Sequence, residues 1–326
     1  MSQALLEVRD LHVRYPIRGG LWGGQVGEVK AVSGVSFSLN PGESLAVVGE
    51  SGCGKSTLGN AILGLTRPTE GEVLFEGEPL SATTTTERRA LAAKMQVVWQ
   101  DPVSALDPKM TVGQSLAEPL EAQGRLTAAQ IRARVAELLT MVGLHPDHAA
   151  RRPHEFSGGQ RQRLVIGRAL AAEPKLLVLD EPVSALDVSI RSQILNLLLD
   201  LQKRLGLAYL FISHDLSVVR HFADRVAVMY LGKIVESGPA QTLFAAPRHP
   251  YSQALLSAVP LPQAGARARR SRILLTGDLP SPANPPAGCV FSTRCPIAEP
   301  GCSLSMPPLV QGAGGTALAC HLRAPQ

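Results

Sequence analysis

The stretch "GESGCGKST" (Gly49 to Thr57) fits the pattern G-x-x-x-x-G-K-[ST]. It follows the apolar run "SLAVV" (Ser44 to Val48), which predicts a buried strand, and it precedes "TLGNAILGL", which predicts a helix. Glycines in such a loop let backbone N–H groups turn toward phosphates, and the helix N-terminus adds positive potential. A chance glycine-rich turn is the alternative, and the flanking strand and helix disfavour it. We therefore predict a nucleotide phosphate site here.

Individual residues of this loop have distinct expected roles. Lys55 is expected to reach the β- and γ-phosphates, and the Ser56 hydroxyl to bind Mg²⁺. Cys53 is expected to be a small loop residue and not a nucleophile. The residues predicted to contact ATP are Gly49, Ser51, Gly52, Cys53, Gly54, Lys55, Ser56 and Thr57.

A second motif, "LLVLDEP" (Leu176 to Pro182), contains two acidic residues and is typical of nucleotide hydrolysis. An acid that ends a buried strand projects from the carboxyl edge of a sheet, where ligands of α/β folds bind. We expect Asp180 to hold Mg²⁺ and Glu181 to orient or deprotonate the attacking water. The alternative is that both acids cap the next helix. The phosphate loop favours the catalytic interpretation.

The order of periodic segments predicts an α/β core with a largely parallel sheet. Apolar runs at Leu176 to Asp180 and at Ala208 to Ser213 alternate with helical stretches. From Val112 to Val142 the period is helical, and Thr127 with Gln130 forms a capping-box spacing. The apolar face of this stretch comprises Ile131, Val135, Leu138, Leu139 and Val142. We therefore predict a helical subdomain at residues 101–157, inserted in the α/β core.

The stretch "SGGQ" (Ser157 to Gln160) predicts a second helix start with unusual features. Ser157 and Gln160 have the spacing of a capping box, and the two glycines leave the helix start uncrowded. An open helix N-terminus is an anion site. Because the phosphate loop already has its own helix, we expect this site to face the nucleotide of another chain.

With these motifs in this order, residues 5–240 resemble the ATP-binding-cassette (ABC) ATPases. The resemblance implies a RecA-like P-loop NTPase core at residues 1–100 and 158–245. It also implies that Tyr15 stacks on adenine and that Gln100 contacts Mg²⁺ and water while facing a membrane partner. Asp187 then belongs to the dimer-facing D-loop, and His214, in "FISHD", reads the γ-phosphate.

The family also implies an assembly. Two ATPases are expected to pair head to tail, with each ATP between the P-loop of one chain and the "SGGQ" of the other. The family favours a sister ATPase over a second copy of this chain. Closure of the pair is expected to move transmembrane permease subunits through the helical subdomain and the Gln100 loop.

The C-terminal region, residues 246–326, is rich in proline and glycine and predicts a loop-rich extension. The stretches "HPYSQALLSAVP", "PPAGCVFSTRCPIAEPGC" and "ACHL" are similar to the extension of dipeptide- and oligopeptide-import ATPases. In these ATPases four cysteines can hold a [4Fe–4S] cluster, and thiolates suit one chemically. The candidates are Cys289, Cys295, Cys302 and Cys320. The spacing lacks C-x-x-C pairs, so Zn²⁺ is the second choice and packed thiols the third.

Composition and charge set the expected location and exclude some partners. No run approaches the ~18 apolar residues that span a bilayer, and the N-terminus lacks the pattern of a secretion signal. We expect a cytosolic chain, peripheral at the inner face of the cell membrane.

The net charge is +5, and a basic cluster lies in a predicted linker at Arg267, Arg269, Arg270 and Arg272. A solvated linker or attraction to anionic lipid is favoured over a nucleic-acid groove.

The predicted function is therefore the ATP-hydrolysing subunit of an importer for dipeptides or oligopeptides, which acts with permease subunits and indirectly with a peptide-binding protein. Import of nickel or glutathione is the alternative. A soluble ABC ATPase acting on nucleic acid or ribosomes is less favoured, because no sustained heptads separate Lys55 from Ser157 and only one cassette is present. A simple P-loop kinase leaves "SGGQ" and His214 unexplained.

The six letters "PVSALD" occur twice, beginning at Pro102 and at Pro182. The flanking sequences share little, so an internal repeat is disfavoured. We interpret the copies as two loops, one beside Gln100 that faces the permease and one beside Glu181 that faces the second ATPase. Ser104 and Asp107 in the first copy need be only turn and cap residues.

Overall fold

The computed structural model describes residues 3–19, 24–82, 85–258 and 273–325. In these ranges the chain forms twelve strands and nine α-helices, joined by turns and short 3-10 helices. The strands are β1 (Leu6–Gly19), β2 (Gly24–Leu39), β3 (Ser44–Val48), β4 (Glu70–Phe75), β5 (Glu78–Pro79), β6 (Met95–Val98), β7 (Leu176–Asp180), β8 (Ala208–Ser213), β9 (Arg225–Tyr230), β10 (Lys233–Pro239), β11 (Val310–Gln311) and β12 (Ala317–Leu318). The helices are α1 (Lys55–Ile62), α2 (Thr85–Lys94), α3 (Val112–Gln123), α4 (Ala128–Met141), α5 (Gly158–Ala171), α6 (Val188–Leu205), α7 (Leu216–Phe222), α8 (Ala240–Ala245) and α9 (Pro250–Ser257).

The chain divides into two compact units. The first comprises Met1–Leu39, Ser44–Ser81 and Ile212–Gln326, and the second comprises Asn40–Glu43 and Ala82–Phe211. The boundary falls within β8. The predicted helical subdomain at residues 101–157 lies in the second unit together with β6, β7, α5 and α6. The bounds of the two units therefore differ from the predicted domain boundaries.

The first unit contains two groups of strands. One is antiparallel, in the order β2-β1-β4-β5, and its longest pairing runs from Leu6 opposite Leu39 to Gly19 opposite Gly24. In the other, β3 lies parallel to β9, and β10, β12 and β11 follow β9 in antiparallel order. All five residues of β3 are buried, as expected for a strand with an uninterrupted apolar sequence. β3 ends immediately before the phosphate loop.

The second unit combines parallel strands with a helical cluster. β6 and β7 pair in parallel from Met95 opposite Leu176 to Val98 opposite Leu179, and β8 lies on the other side of β7. Helices α3, α4 and α5 pack on one another. Thr111 and Thr127 form complete capping boxes at the starts of α3 and α4. These caps satisfy N–H groups that a helix start leaves without intrahelical partners.

Most of the local predictions are confirmed. The predicted strands β3, β7 and β8 are present, and the predicted apolar face of α4 is buried: Ile131, Val135, Leu138, Leu139 and Val142. Within the described ranges, none of the helices combines the length and the apolar character needed to cross a bilayer. The basic cluster from Arg267 to Arg272 lies outside the described residues.

Candidate functional site

The phosphate loop lies in the first unit, between β3 and α1. Gly54 has φ +106° and is the N-cap residue of α1. A Cβ at Gly54 would lie 2.0 Å from the carbonyl oxygen of Ala31, and one at Gly49 would lie 2.1 Å from that of Met229. Only glycine fits at either position because backbone atoms of neighbouring strands occupy the space of a side chain. The motif glycines are thus required by packing within the fold.

Lys55 is folded back onto its own loop. Its ammonium nitrogen donates hydrogen bonds to the carbonyl oxygens of Gly49 (2.8 Å) and Glu50 (2.9 Å), and it lies 3.8 Å from the sulfur of Cys53. Burial raises the pKa of the Cys53 thiol, which keeps it protonated. This agrees with the expectation that Cys53 packs and does not react. No side chain caps α1, so the positive end of the helix dipole is not offset there.

Glu50, the second residue of the loop, is contacted by the C-terminal region of the same unit. Its N–H donates to the hydroxyl oxygen of Tyr251 (2.8 Å), and its carboxylate lies 2.7 Å from a guanidinium nitrogen of Arg294. Burial raises the pKa of the Tyr251 phenol, so that group stays neutral. Neither contact is predicted from the sequence. Tyr251 and Arg294 lie in the stretches "HPYSQALLSAVP" and "PPAGCVFSTRCPIAEPGC", but no local pattern pairs either residue with Glu50.

Two further predicted residues lie in the first unit. Tyr15 is on β1 opposite Val29, with 41% of its surface exposed, so its ring is accessible to a ligand. His214 is exposed and directly follows β8. The next residue, Asp215, is the N-cap of α7 and accepts a hydrogen bond from the N–H of Ser217 (3.0 Å). His214 is therefore positioned between a buried strand and a capped helix.

The second unit contains the acidic pair. Asp180 is a buried residue at the end of β7, and Glu181 follows it with φ +49°. Left-handed backbone is strained for a non-glycine residue, and such strain is frequent at functional sites. Asp187, not Asp180 or Glu181, is the N-cap residue of α6. The alternative interpretation, in which both acids cap the next helix, is therefore wrong.

The "SGGQ" residues begin α5, as predicted. The side chain of Gln160 accepts a hydrogen bond from the N–H of Ser157 (3.1 Å), and the Ser157 hydroxyl accepts one from the N–H of Gln160 (3.3 Å). A Cβ at Gly158 would lie 3.7 Å from Leu186, which is ordinary contact, but one at Gly159 would lie 2.4 Å from Ile190. The start of α5 therefore packs on the segment around Asp187.

The surface formed by this packing is exposed. Ser157, Gly158 and Asp187 are all exposed, and Val188 exposes 77% of its surface. Gln100, also exposed, follows β6 in the same unit. The start of α5 and the segment around Asp187 thus form one solvent-exposed surface.

The four cysteines of the tail are free thiols. The N–H of Cys289 donates to the carbonyl oxygen of Cys302 (2.8 Å). Burial, and to a lesser degree the neighbouring thiols, raises the pKa of Cys289. In the part of the chain that the structure describes, no group of three or more His, Cys, Asp or Glu side chains is arranged to hold a metal ion. The predicted [4Fe–4S] or Zn²⁺ ligands Cys289, Cys295, Cys302 and Cys320 thus lie in one loop-rich region without forming a metal site.

Comparison with known families gives two matches within the chain. Residues 32–184 match the family described as ABC transporter. Residues 235–302 match the family described as oligopeptide/dipeptide transporter, C-terminal region. The first match includes the phosphate loop, the start of α5 and the acidic pair, and the second includes Tyr251 and Arg294.

Individual proteins are similar over nearly the whole chain. The oligopeptide transport ATP-binding protein AppF of Bacillus subtilis is 52% identical, covering 98% of both chains. The dipeptide transport ATP-binding protein DppF of Escherichia coli is 48% identical, covering 98% of this chain and 95% of its own. Among solved structures, the dimeric post-hydrolysis state of the ATP-binding cassette MJ0796 bound to ADP and Pi is similar with a TM-score of 0.64. It is 28% identical and covers 72% of this chain and 98% of its own.

Proposed function

The chain belongs to the ABC transporter ATP-binding proteins of the oligopeptide and dipeptide branch, and from that membership we propose that it powers the uptake of peptides across the cytoplasmic membrane. Members of this family are ATPases coupled to transport. The observation that carries the proposal is the coverage of the similarity, which extends through both the cassette and the peptide-transporter C-terminal region. Import of nickel or glutathione is the alternative cargo assignment, and the similarity to oligopeptide and dipeptide transport proteins favours peptides.

The residues of the phosphate loop fit ATP with Mg²⁺. A glycine cradle closed by neighbouring backbone, a buried lysine and an uncapped helix N-terminus together suit a triphosphate. Mg²⁺, when bound, neutralises developing charge on the phosphates. We propose Ser56, Asp180 and Gln100 as its ligands, held directly or through water. Tyr15 is proposed to stack on the adenine.

Hydrolysis is proposed to depend on Glu181 and His214. In phosphoryl transfer the protein mainly positions groups and stabilises charge. Glu181 is proposed to orient or deprotonate the attacking water. Its left-handed backbone supports this role, because strained backbone is frequent at functional sites. His214 is proposed to contact the γ-phosphate and Gln100 to contact the attacking water.

We propose that the exposed surface around Ser157 and Asp187 binds a second ATPase. Ser157, Gly158, Gly159 and Gln160 would then face the nucleotide of that partner. The dimeric state of MJ0796 named above supports a two-cassette arrangement. We propose a sister ATPase as the partner, in preference to a second copy of this chain.

We propose that the chain acts peripherally on the inner face of the membrane, docked on transmembrane permease subunits. The Gln100 loop and the helices α3 and α4 are proposed as the docking region, and a peptide-binding protein would act indirectly through the permeases. In domain terms, residues 1–245 would form the ATPase and residues 246–326 the extension. Action on nucleic acid is disfavoured because the similarity covers peptide-transport proteins over nearly the whole chain.

A [4Fe–4S] cluster on Cys289, Cys295, Cys302 and Cys320 is a separate proposal, with Zn²⁺ as its alternative. Four free thiols in one region support it, since thiolates bind both. The described residues form no group of side chains arranged to hold a metal ion, and no step of hydrolysis is assigned to the cluster. Anaerobic purification with iron, sulfide and zinc assays tests this. Iron with sulfide supports the cluster, zinc alone supports the alternative, and neither metal refutes both.

The proposed role of Glu181 is tested by Glu181→Gln. We expect ATP binding to be retained and phosphate release to fall about a hundredfold or more, because a general base contributes at least that factor. Glu173→Gln is the matched control, since Glu173 lies in the same unit, also has positive φ (+54°) and pairs with Arg134 away from the site. Unchanged ATP hydrolysis in Glu181→Gln would refute the assignment.

The same variant distinguishes the two kinds of dimer. With ATP present, Glu181→Gln should accumulate a closed dimer when its proper partner is available. If the isolated variant stays monomeric and dimerises only with a co-expressed sister ATPase, the heterodimer is supported. If the isolated variant dimerises with ATP alone, a second copy of this chain is sufficient. Sedimentation velocity measures both cases.

A further inference from the structure

Glu50 is held on three sides within the first unit. Its carbonyl oxygen accepts a hydrogen bond from Lys55 (2.9 Å), its N–H donates to the Tyr251 hydroxyl (2.8 Å), and its carboxylate pairs with Arg294 (2.7 Å). The last two partners are 201 and 244 residues away in sequence. The conformation of the phosphate loop is therefore tied directly to the C-terminal region.

The pair formed by Arg294 and Glu50 is largely withdrawn from solvent. The side chain of Arg294 is 9% exposed and that of Glu50 is 30% exposed. An exposed ion pair contributes little, but removing one partner of a buried pair leaves an uncompensated charge. Arg294 therefore restricts the position of the Glu50 carboxylate much more strongly than a surface arginine would.

The hydroxyl of Tyr251 is fixed by an aromatic cluster. The rings of Tyr230, Tyr251 and Phe291 contact one another with centroid separations of 4.7 to 5.4 Å. Tyr230 meets each of the other two rings edge to face, an arrangement that aromatic pairs prefer. The ring of His249 lies 5.5 Å from that of Phe291 and completes the cluster. Three of the four rings belong to the C-terminal region.

The start of α9 is anchored as well. The buried carboxylate of Glu236 accepts hydrogen bonds from the N–H groups of Arg248 (2.7 Å) and His249 (3.0 Å). The ring of His249 in turn accepts one from the N–H of Tyr251 (3.1 Å). Burial lowers the pKa of His249 to about 3, so the ring remains a neutral acceptor. The Tyr251 hydroxyl is thus presented to Glu50 from a rigid position.

The same cluster supports the opposite side of the loop. Tyr230 follows Met229, whose carbonyl oxygen occupies the space where a Cβ at Gly49 would lie. Gly49 and Glu50 supply the two carbonyl oxygens that bind the Lys55 ammonium. Tyr251 therefore contacts Glu50 directly, and Tyr230 of the same cluster follows the residue whose backbone lies against Gly49.

We propose that Tyr251 and Arg294 are positioning residues for ATP binding. They hold Glu50, and through Glu50 they set the backbone carbonyl groups that orient Lys55 toward the phosphates. The C-terminal extension is thereby a structural part of the nucleotide site. This inference concerns the ATP affinity of the single chain, so it does not depend on the peptide cargo or on the permeases.

Tyr251→Phe tests the backbone contact in the full chain. The ring stays packed, but the N–H of Glu50 loses its acceptor, and we expect the Kd for ATP to rise about tenfold. Tyr209→Phe is the matched control: Tyr209 is a buried tyrosine of the second unit, and its hydroxyl donates to the carbonyl oxygen of Leu198 (2.7 Å). The control should lose thermal stability without a change in the Kd. Equal effects of both variants on the Kd would overturn the proposal.

A double-mutant cycle tests the ion pair. Arg294→Gln and Glu50→Gln should each raise the Kd for ATP about tenfold, and the double variant should be little worse than either single one because both remove the same interaction. Arg294→Lys should restore most of the affinity, since it keeps the charge. If Arg294→Gln yields little folded protein, the ion pair is tested with Glu50→Gln alone, because Glu50 is the more exposed partner. Independent, additive effects would overturn the proposal.

Steady-state ATPase kinetics separate positioning from general destabilisation. We expect these variants to raise KM for ATP and to leave kcat within about twofold, because the lost interaction serves binding and not the chemical step. A fall in kcat at unchanged KM would overturn the assignment. The binding assay needs only the isolated chain, so failure of peptide uptake in a transport assay would not affect this result.

Discussion

The two helices that begin at glycine-rich motifs start in different ways. α1 starts after Gly54, which has left-handed backbone and provides no side-chain cap. α5 starts after Ser157, where a capping box already engages the N–H groups of Ser157 and Gln160. The first start is open to a charged ligand, and a folded-back lysine stands beside it. At the second start, two backbone N–H groups already have side-chain acceptors within the same chain.

This contrast suits the roles proposed for the two sites. A site that must bind a triphosphate within one chain needs a lysine and every available N–H group. A site that meets a nucleotide only when a partner arrives must keep its shape while exposed to water. The capping box stabilises the start of α5 in the free chain. Under the proposed roles, one helix N-terminus would bind the chain's own ATP, and the other would meet the nucleotide of a partner.

The largest expected effect is that of Lys55→Ala. It removes the ammonium group that lies against the carbonyl oxygens of Gly49 and Glu50. We expect ATP affinity to fall about a hundredfold, as for loss of one partner of a buried charge contact. Equilibrium binding of ATP to the isolated chain measures it. The control is Lys109→Ala, which changes an exposed lysine two residues after the first "PVSALD" copy. If Lys55→Ala binds ATP normally, the distinction between the two helix starts has no basis.

A smaller effect is expected at the second start, where two adjacent glycines differ. Gly159→Ala forces a Cβ to within 2.4 Å of Ile190, whereas Gly158→Ala makes an ordinary 3.7 Å contact with Leu186. Overpacking costs about 1–3 kcal/mol, so Gly159→Ala should lower the unfolding midpoint by several degrees. Gly158→Ala should change it little. Equal midpoints would contradict the packing of α5 on the Asp187 segment.

Gly159→Ala also tests which helix start binds the ATP of the isolated chain. ATP affinity of the isolated chain should be unchanged in this variant, because the residues proposed to bind that chain's own nucleotide phosphates lie in the phosphate loop. Loss of affinity equal to that of Lys55→Ala would indicate that both helix starts contribute to one nucleotide within one chain.

The sequence predicted those parts of the fold that depend on local patterns. The capping boxes at Thr127 and Ser157 and the strands β3, β7 and β8 are each specified within a few residues. The long antiparallel pairing of β1 with β2 was not predicted, because its alternation is interrupted by register shifts. The contact of Arg294 with Glu50 joins residues 244 positions apart, and no local pattern indicates it.

The two "PVSALD" copies show which structural features identical residues determine and which they do not. In each, the serine hydroxyl donates to the carbonyl oxygen three residues earlier, Ser104 to Asp101 (3.1 Å) and Ser184 to Glu181 (3.0 Å). The identical letters therefore form the same turn. Their valines differ, since Val103 is 59% exposed and Val183 is 4% exposed. Burial is decided by the surroundings, so a sequence match predicts the turn but not the surface that it presents.

The smallest expected effect tests the capping box itself. Ser157→Ala should cost about 1 kcal/mol of stability, the usual effect of losing an N-cap side chain. Thr127→Ala is the matched control, because Thr127 is exposed and forms the same box at the start of α4, with bonds of 2.8 and 3.4 Å. The two variants should unfold alike, whereas only Ser157→Ala should also lower ATP hydrolysis by the assembled pair of ATPases. If hydrolysis is equally affected in both, Ser157 acts only as a cap, and the two helix starts differ in stability but not in function.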